Sequence, residues 1–139
     1  MYRRILVAND GSEGAEKALA TAIVLARKLK AKLLMVSVEE LPQFPASVEE
    51  VVEERQEENR RFERVIDGAA KRAKSAGVKL EPHVLAGHAV PAITEFIERE
   101  RCDLLVIGFM GHSALYNRLI GSTTDRLVEI APCAVLVVK

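Results

Sequence analysis

Residues 5–38, ILVANDGSEGAEKALATAIVLARKLKAKLLMVSV, contain the pattern that decides the fold. The stretch opens with the apolar run ILVA, and the polar turn NDGS follows, as expected for a buried strand that ends in a turn. Apolar residues then recur at three- and four-residue steps from Ala15 to Ala26, which predicts a helix that Ser12 or Asp10 could cap. The closing LLMVSV is a second apolar run. This stretch therefore predicts a strand, a helix and a second buried strand.

The same alternation continues along the rest of the chain. Ser47 and Glu50 have the spacing of a capping box, which predicts a helix from Ser47 to about Ala76 that Gly77 ends. Further elements are predicted as a strand at 78–86, a helix around 90–97, a strand at 104–107, a short helix with Leu127, Val128 and Ala131, and a strand at 134–138. Alternating strands and helices predict a single α/β domain over residues 1–139. It is a doubly wound, open parallel sheet of five strands with helices on both faces.

Composition excludes several classes of protein. Lys plus Arg and Asp plus Glu number 20 each, so the chain lacks a basic field for nucleic acid or an anionic membrane. Aromatic residues make up 4% of the chain, and Trp is absent, which disfavours platforms that stack bases. No apolar run approaches the ~20 residues that span a bilayer, and Arg3-Arg4 lacks the apolar segment of a twin-arginine signal. We expect a cytoplasmic protein that binds neither nucleic acid nor membrane.

Cysteine and histidine spacing predicts no metal site built from protein ligands. Cys102 and Cys133 form no C-x-x-C pair and are interpreted as buried small apolar residues. His83, His88 and His112 have no metal-ligand spacing with each other or with either cysteine.

Ligands of doubly wound sheets bind beyond the carboxyl ends of the strands where strand order reverses, which directs attention to the loops after strands one and four. Residues 108–124 read GFMGHSALYNRLIGSTT, a G-x2-G-x9-G-S spacing. Gly108 would let the sugar of a ligand approach the backbone, and Gly111 could adopt positive φ. Gly121 and Ser122 would open a helix whose free N–H groups form an anion site, with hydroxyl donors on residues 122–124. The implied ligand carries phosphates.

These motifs resemble those of the universal stress protein family, and the resemblance covers the whole chain. The opening ILVANDGSE (5–13) and the closing APCAVLVV (131–138) are similar to the first strand and the last segment of the family. The resemblance implies a Rossmann-like fold of the adenine nucleotide alpha hydrolase-like type, with strand order 3-2-1-4-5. It implies ATP as ligand, with Mg²⁺ or Mn²⁺ bridging the phosphates. By resemblance, adenine and ribose would lie beside Ala8, Asp10 and Val38, and ribose and phosphates beside Gly108, Gly111, His112, Ser113, Gly121, Ser122, Thr123 and Thr124.

The chain departs from the family pattern between the first two glycines. Phe109 and Met110 stand where members often have a small polar residue followed by His or Arg. His112 and Arg118 could supply the positive charge, although Arg118 is equally well explained as a solvated surface residue. Some members lack the glycine signature, so a module that acts only through protein contacts is the alternative function.

No catalytic residues are predicted. Asp10 could be a ribose acceptor, a metal ligand, a general base or a helix cap, and no second acid at a suitable spacing makes a catalytic pair. A G-K-[ST] phosphate loop is absent, so we expect at most slow ATP hydrolysis, suited to a regulatory switch.

Two other classes with this architecture are disfavoured. A dinucleotide-binding oxidoreductase needs glycine where Asn9 stands, although Glu39 and Glu40 follow strand two, where a ribose-binding acid would lie. A phosphoacceptor domain needs an acid at the end of strand three, where the sequence reads VLAG.

Two further expectations concern surfaces. The run from Glu49 to Arg64, with Glu57 and Arg61 at i,i+4, is typical of a solvated helix face, and it could also contact a partner. The last strand, from Cys133 to Val138, is apolar and lies at a sheet edge in the family order. We therefore expect a two-fold homodimer in which these strands pair antiparallel, together with protein partners that the sequence does not identify.

Overall fold

The computed structural model describes residues 1–40, 47–109 and 120–139. Strands and helices alternate as the sequence predicts. In chain order they are β1 (Arg4–Ala8), α1 (Glu13–Leu29), β2 (Lys32–Glu39), α2 (Val48–Ser75), β3 (Leu80–Ala86), α3 (Ala89–Glu100), β4 (Leu104–Gly108), α4 (Ser122–Ile130) and β5 (Ala134–Val138). The strands form one parallel sheet in the order β3-β2-β1-β4-β5, so the predicted fold class and strand order are confirmed.

Side-chain capping explains where α1 and α2 begin. The Ser12 side chain accepts the Ala15 N–H, so Ser12 and not Asp10 caps α1. At α2 the predicted capping box is present, because Ser47 Oγ accepts the Glu50 N–H and the Glu50 carboxylate accepts the Ser47 N–H. Each interaction pairs a backbone N–H group that the first turn of a helix leaves unsatisfied.

Two predicted boundaries move by a few residues. β3 begins at Leu80 rather than at Val78, because Gly77 adopts a φ of +76° and the Val78 N–H donates back to the Ala73 carbonyl oxygen (2.8 Å). Val78 thus closes the end of α2 instead of joining the sheet. Ala131 is the C-terminal cap of α4 and not one of its helical residues.

The alternation of side chains along β1 builds a core on each face of the sheet. Ile5 and Val7 pack in the cluster that contains residues of α1 and α2. Leu6 packs in the other cluster, with residues of α3 and α4. All three side chains have no exposed surface. Both faces of the sheet are therefore covered at its central strand, and the carboxyl edge of the strands is the place to look for a ligand.

The two cysteines and His83 have packing roles. Cys102 lies in the cluster with α3 and α4, where burial raises the pKa of its thiol to about 11. Cys133, predicted to be buried, is half-buried against the same cluster, and burial raises its pKa as well. The His83 ring meets the Phe96 ring edge-on at 4.9 Å. Within the described ranges, no three His, Cys, Asp or Glu side chains come together as a metal site. Among the same residues, no helix has the length and apolar character that crossing a bilayer requires.

Candidate functional site

A cleft of about 280 Å³ lies at the carboxyl ends of the central strands, where strand order reverses between β1 and β4. This is the switch point at which doubly wound sheets bind ligands. The structure brings together eight of the predicted site residues in its lining: Ala8, Asp10, Val38, Gly108, Gly121, Ser122, Thr123 and Thr124. The other three predicted residues, Gly111, His112 and Ser113, lie outside the described residues, as do Met110 and Arg118.

The turn after β1 is held in place by hydrogen bonds beneath the cleft. The Ser37 hydroxyl donates to the Asn9 carbonyl oxygen (2.7 Å), and both side chains are buried. The Asn9 side-chain oxygen accepts the Gly11 N–H (3.0 Å), and Gly11 adopts a φ of +84° that favours glycine. One carboxylate oxygen of Asp10 accepts the Ser12 N–H (2.9 Å). Asp10 therefore stabilises the turn as well as lining the cleft.

Gly108 lines the cleft and also has a packing role. A Cβ atom at this position would lie 2.8 Å from the carbonyl carbon and oxygen of Gly14 and 3.2 Å from the Ala15 nitrogen. These atoms are the backbone of the first turn of α1. The absence of a side chain at Gly108 therefore allows α1 to pack directly against the end of β4, on one side of the cleft.

The N-terminus of α4 lines the cleft on the β4 side. Gly121 is its N-cap and has no side chain with which to accept the first N–H groups of the helix. Ser122 and Thr123 are exposed, whereas Thr124 is buried and its hydroxyl donates to the Gly108 carbonyl oxygen (2.7 Å). The prediction of three hydroxyl donors is therefore wrong for Thr124, since that hydroxyl already connects α4 to β4. The helix dipole and the backbone N–H groups make this end suited to an anion.

Phe109 contacts the C-terminal end of the chain and is not among the described residues that line the cleft. Its ring centroid lies 5.4 Å from the Lys139 ammonium nitrogen, and its N–H donates to the Val138 carbonyl oxygen (3.0 Å). Its carbonyl oxygen accepts the Gly121 N–H (2.9 Å). Phe109, which departs from the family pattern, therefore packs beside the end of β5.

Sequence reasoning missed Arg61 and Glu58, which line the cleft from α2. The prediction of a solvated face holds for most of the charged run, but Arg61 is half-buried and donates to the Asp10 carbonyl oxygen (2.8 Å). Its carboxylate partner is Glu58 at i,i+3 (3.0 Å), whereas the sequence singled out Glu57 at i,i+4. The only sequence signal was the position of Arg61 next to Phe62, where the charged run meets the first buried residue of the helix.

Chemically, the cleft has different character on the two sides of β1. The β2 side presents the apolar side chains of Ala8, Val36 and Val38. The β4 side presents the start of α4 together with the apolar side chains of Ile107 and Leu127. Among the described lining residues, Asp10, Glu40 and Glu58 are acidic and Arg61 is basic, so the start of α4 is the part of this lining best suited to an anion.

Fold and cleft together define a class, that of doubly wound α/β domains with a cleft at the switch point. Within that class, the chain belongs to the universal stress protein family, whose sequence model matches residues 1–139. A universal stress protein of Methanocaldococcus jannaschii is 33% identical to it over 147 residues, covering 100% of this chain and 83% of the relative.

Two solved structures show the same fold over nearly the whole chain. A universal stress protein of Lactobacillus plantarum superposes with a TM-score of 0.87 at 24% identity, covering 99% of this chain and 98% of that one. A universal stress protein in complex with cAMP has a TM-score of 0.78 at 26% identity, covering 99% of this chain and 97% of that one.

Proposed function

We propose that this chain binds ATP in the switch-point cleft and acts as a nucleotide-dependent regulatory module of the stress response. The observation that carries the proposal is the cleft itself, with an apolar wall at Ala8 and Val38 on one side of β1 and the start of α4 on the other. An adenine ring suits the apolar wall, and phosphates suit the helix N-terminus. The complex of a family member with cAMP, at 26% identity, supports an adenine nucleotide as the ligand.

The donor set of the cleft fits phosphates. Gly121 leaves the first N–H groups of α4 without a side-chain cap, and Ser122 and Thr123 add exposed hydroxyls. Mg²⁺ or Mn²⁺ would be held chiefly by the phosphates themselves, because the described residues contain no cluster of three metal-ligating side chains. The cation would offset phosphate charge beside the acidic side chains of Asp10, Glu40 and Glu58.

Binding without rapid chemistry is the form of activity that the described residues support. The Asp10 carboxylate is a hydrogen-bond acceptor for the turn, and the Thr124 hydroxyl is engaged by Gly108. We therefore propose at most slow ATP hydrolysis, with the bound nucleotide acting as a regulatory signal in the cytoplasm.

Titration calorimetry of the full chain, stripped of nucleotide, with ATP, ADP and AMP in the presence of Mg²⁺ tests the proposal. We expect ATP to bind most tightly and affinity to fall as phosphates are removed. Gly121→Val should abolish ATP binding, because a β-branched side chain at the N-cap would block access of the phosphates to the first N–H groups of α4. Gly68→Val is the matched control, since Gly68 is exposed in α2 and a Cβ there meets nothing within 4 Å. No binding by the unaltered chain, or unchanged affinity in Gly121→Val, refutes the proposed site.

Contact with proteins alone is a second candidate function. Val48 and Val52 lie one turn apart on the first half of α2, with 80% and 47% of their surfaces exposed. Exposed apolar residues on a charged helix suit docking to another protein. The calorimetric experiment distinguishes the two candidates, because this one requires no nucleotide affinity.

We further propose that the chain forms a two-fold homodimer through β5. Within the described parts of the sheet, β5 pairs with β4 on one side and is the edge strand on the other. Leu136 exposes 37% of its surface there, and a second β5 would satisfy the open edge. Equilibrium sedimentation should show a dimer at micromolar concentration and a monomer for Leu136→Lys. Val128→Lys, at an exposed apolar residue of α4, should remain dimeric. A monomeric wild-type chain contradicts the proposal.

A further inference from the structure

Arg61 connects α2 to the turn that follows β1, across 51 residues of sequence. One terminal nitrogen of its guanidinium, Nη1, donates to the Asp10 carbonyl oxygen at 2.8 Å. The other two nitrogens face the carboxylate of Glu58, with Nε to Oε2 at 3.0 Å and Nη2 to Oε1 at 3.3 Å. This two-point pairing fixes the plane of the guanidinium, and Nη1 is thereby directed at the turn.

A second contact between α2 and the same turn comes one helical turn later. A Cβ atom at Gly11 would lie 3.0 Å from Val65 Cγ2, so α2 passes very close to the backbone of the turn. Together, Arg61 and Val65 hold the segment of residues 9–12, hereafter the Asp10 turn, against α2. The Asp10 turn lines the candidate cleft at Asp10 and Ser12.

Arg61 also marks the point at which α2 leaves the core. No residue from 48 to 61, a stretch that the structure describes in full, is buried. The next residue, Phe62, is 2% exposed, and Ala69 and Ala73 continue the buried stripe. The guanidinium lies over the Phe62 ring, 4.8 Å from its centroid. The buried stripe of α2 therefore begins at Phe62, directly after Arg61.

We infer that Arg61 is a positioning residue that joins the Asp10 turn to the first half of α2, so that occupancy of the cleft is transmitted to residues 48–60. The transmission rests on the proposed function, since a nucleotide lying against Ala8 and Asp10 would restrain the Asp10 turn. A restrained turn keeps its carbonyl in place for Arg61 and thereby stabilises the adjacent helix. Such coupling is reciprocal. Loss of Arg61 must therefore also lower the affinity of the cleft for the nucleotide that restrains the Asp10 turn.

Arg60 provides a matched control on the same helix. Its Nε donates to the Gln56 carbonyl oxygen at 3.2 Å, an interaction within α2, and its side chain is exposed. Arg60→Gln and Arg61→Gln remove the same charge and introduce the same side chain at adjacent positions. Only the second change removes a contact with the Asp10 turn.

Hydrogen exchange read by mass spectrometry, on the full chain without nucleotide, tests the connection first. Arg61→Gln should exchange faster than wild type both at residues 9–12 and at 48–60, whereas residues 62–75 should be unchanged. Arg60→Gln should leave the Asp10 turn unchanged. Arg61→Lys should restore part of the protection, because an ammonium can donate to the Asp10 carbonyl but cannot make the two-point pairing with Glu58. Equal exchange of Arg61→Gln and Arg60→Gln at both segments overturns the inference.

The second arm repeats the exchange with saturating ATP and Mg²⁺. Wild type should gain protection at 48–60, Arg61→Gln should gain none there, and its ATP affinity should be lower by about fivefold or more, the usual lower range of coupling between sites. Equal protection of 48–60 by ATP in both proteins overturns the inference. If wild type binds no ATP, the proposed function fails, and the nucleotide-free arm still decides whether Arg61 joins the turn to the helix.

Discussion

Gly108→Ala is the substitution for which the structure predicts the clearest loss of stability. The new methyl group would lie 2.8 Å from the Gly14 carbonyl carbon and oxygen. Favourable contacts of carbon atoms begin near 3.5 Å, so α1 and β4 would have to separate by about 0.7 Å. Both surfaces are backbone, and no flexible side chain can move aside. Overpacking of this kind costs about 1–3 kcal/mol.

Thermal unfolding followed by circular dichroism, in the absence of nucleotide, measures this loss. For a domain of this length the melting temperature of Gly108→Ala should fall by roughly 3–10 °C. Gly68→Ala is the control, because Gly68 lies exposed within α2 and a Cβ there meets nothing within 4 Å. Alanine should stabilise that helix by about 0.5–1 kcal/mol. If Gly108→Ala melts at or above the wild-type temperature, the close approach of α1 to β4 is not what requires glycine.

Three further predictions concern stability and its pH dependence. Ser12→Ala removes the cap of α1 and should lower the free energy of unfolding in urea by about 1 kcal/mol; an unchanged midpoint would contradict the cap. Burial raises the pKa of the Cys102 thiol from 9.0 to about 11, so the unfolded chain loses this proton first, and stability should fall as pH rises from 9 through 11. That fall should be smaller in Cys102→Ala. Burial tends to raise the pKa of Asp103, but hydrogen bonds from the N–H groups of Arg3 and Arg4 lower it overall. The stability that Asp103 contributes should therefore be present above about pH 4 and be lost as pH falls through its lowered pKa. Asp103→Asn should lack this loss, and parallel acid-unfolding curves for the two proteins would argue against the role of Asp103.

The elements of this fold were predictable because their signals are local. The capping box of Ser47 and Glu50 and the apolar stripe of α1 each depend on residues within a few positions of one another. Boundaries failed where a backbone hydrogen bond decided them, as at Val78, which closes α2 instead of starting β3. The Val78 N–H can either donate to the end of α2 or pair in the sheet. The free-energy difference between these two hydrogen bonds cannot be read from the pattern of side chains.

The position of the candidate site was predictable from the sequence, but the contacts that its residues make within the protein were not. The glycine spacing after β4 and the turn after β1 indicated two loops, and the parallel sheet brings them to one edge. Gly108, predicted as an approach for a ligand, also allows α1 to pack against β4, which its sequence context did not indicate. Likewise, the predicted hydroxyl donor of Thr124 is used within the protein.

By itself, then, the sequence determined the class of the fold, the faces of its helices and the edge of the sheet at which to look for a ligand. It did so because apolar periodicity reports which side of each element is buried. Only the tertiary structure decided that Arg61 of a charged helix reaches the Asp10 carbonyl, and that α1 leaves no room for a side chain at Gly108. Contacts of this kind depend on how two distant elements are placed against each other, and a difference of less than 1 Å in that placement decides whether a hydrogen bond or a clash results.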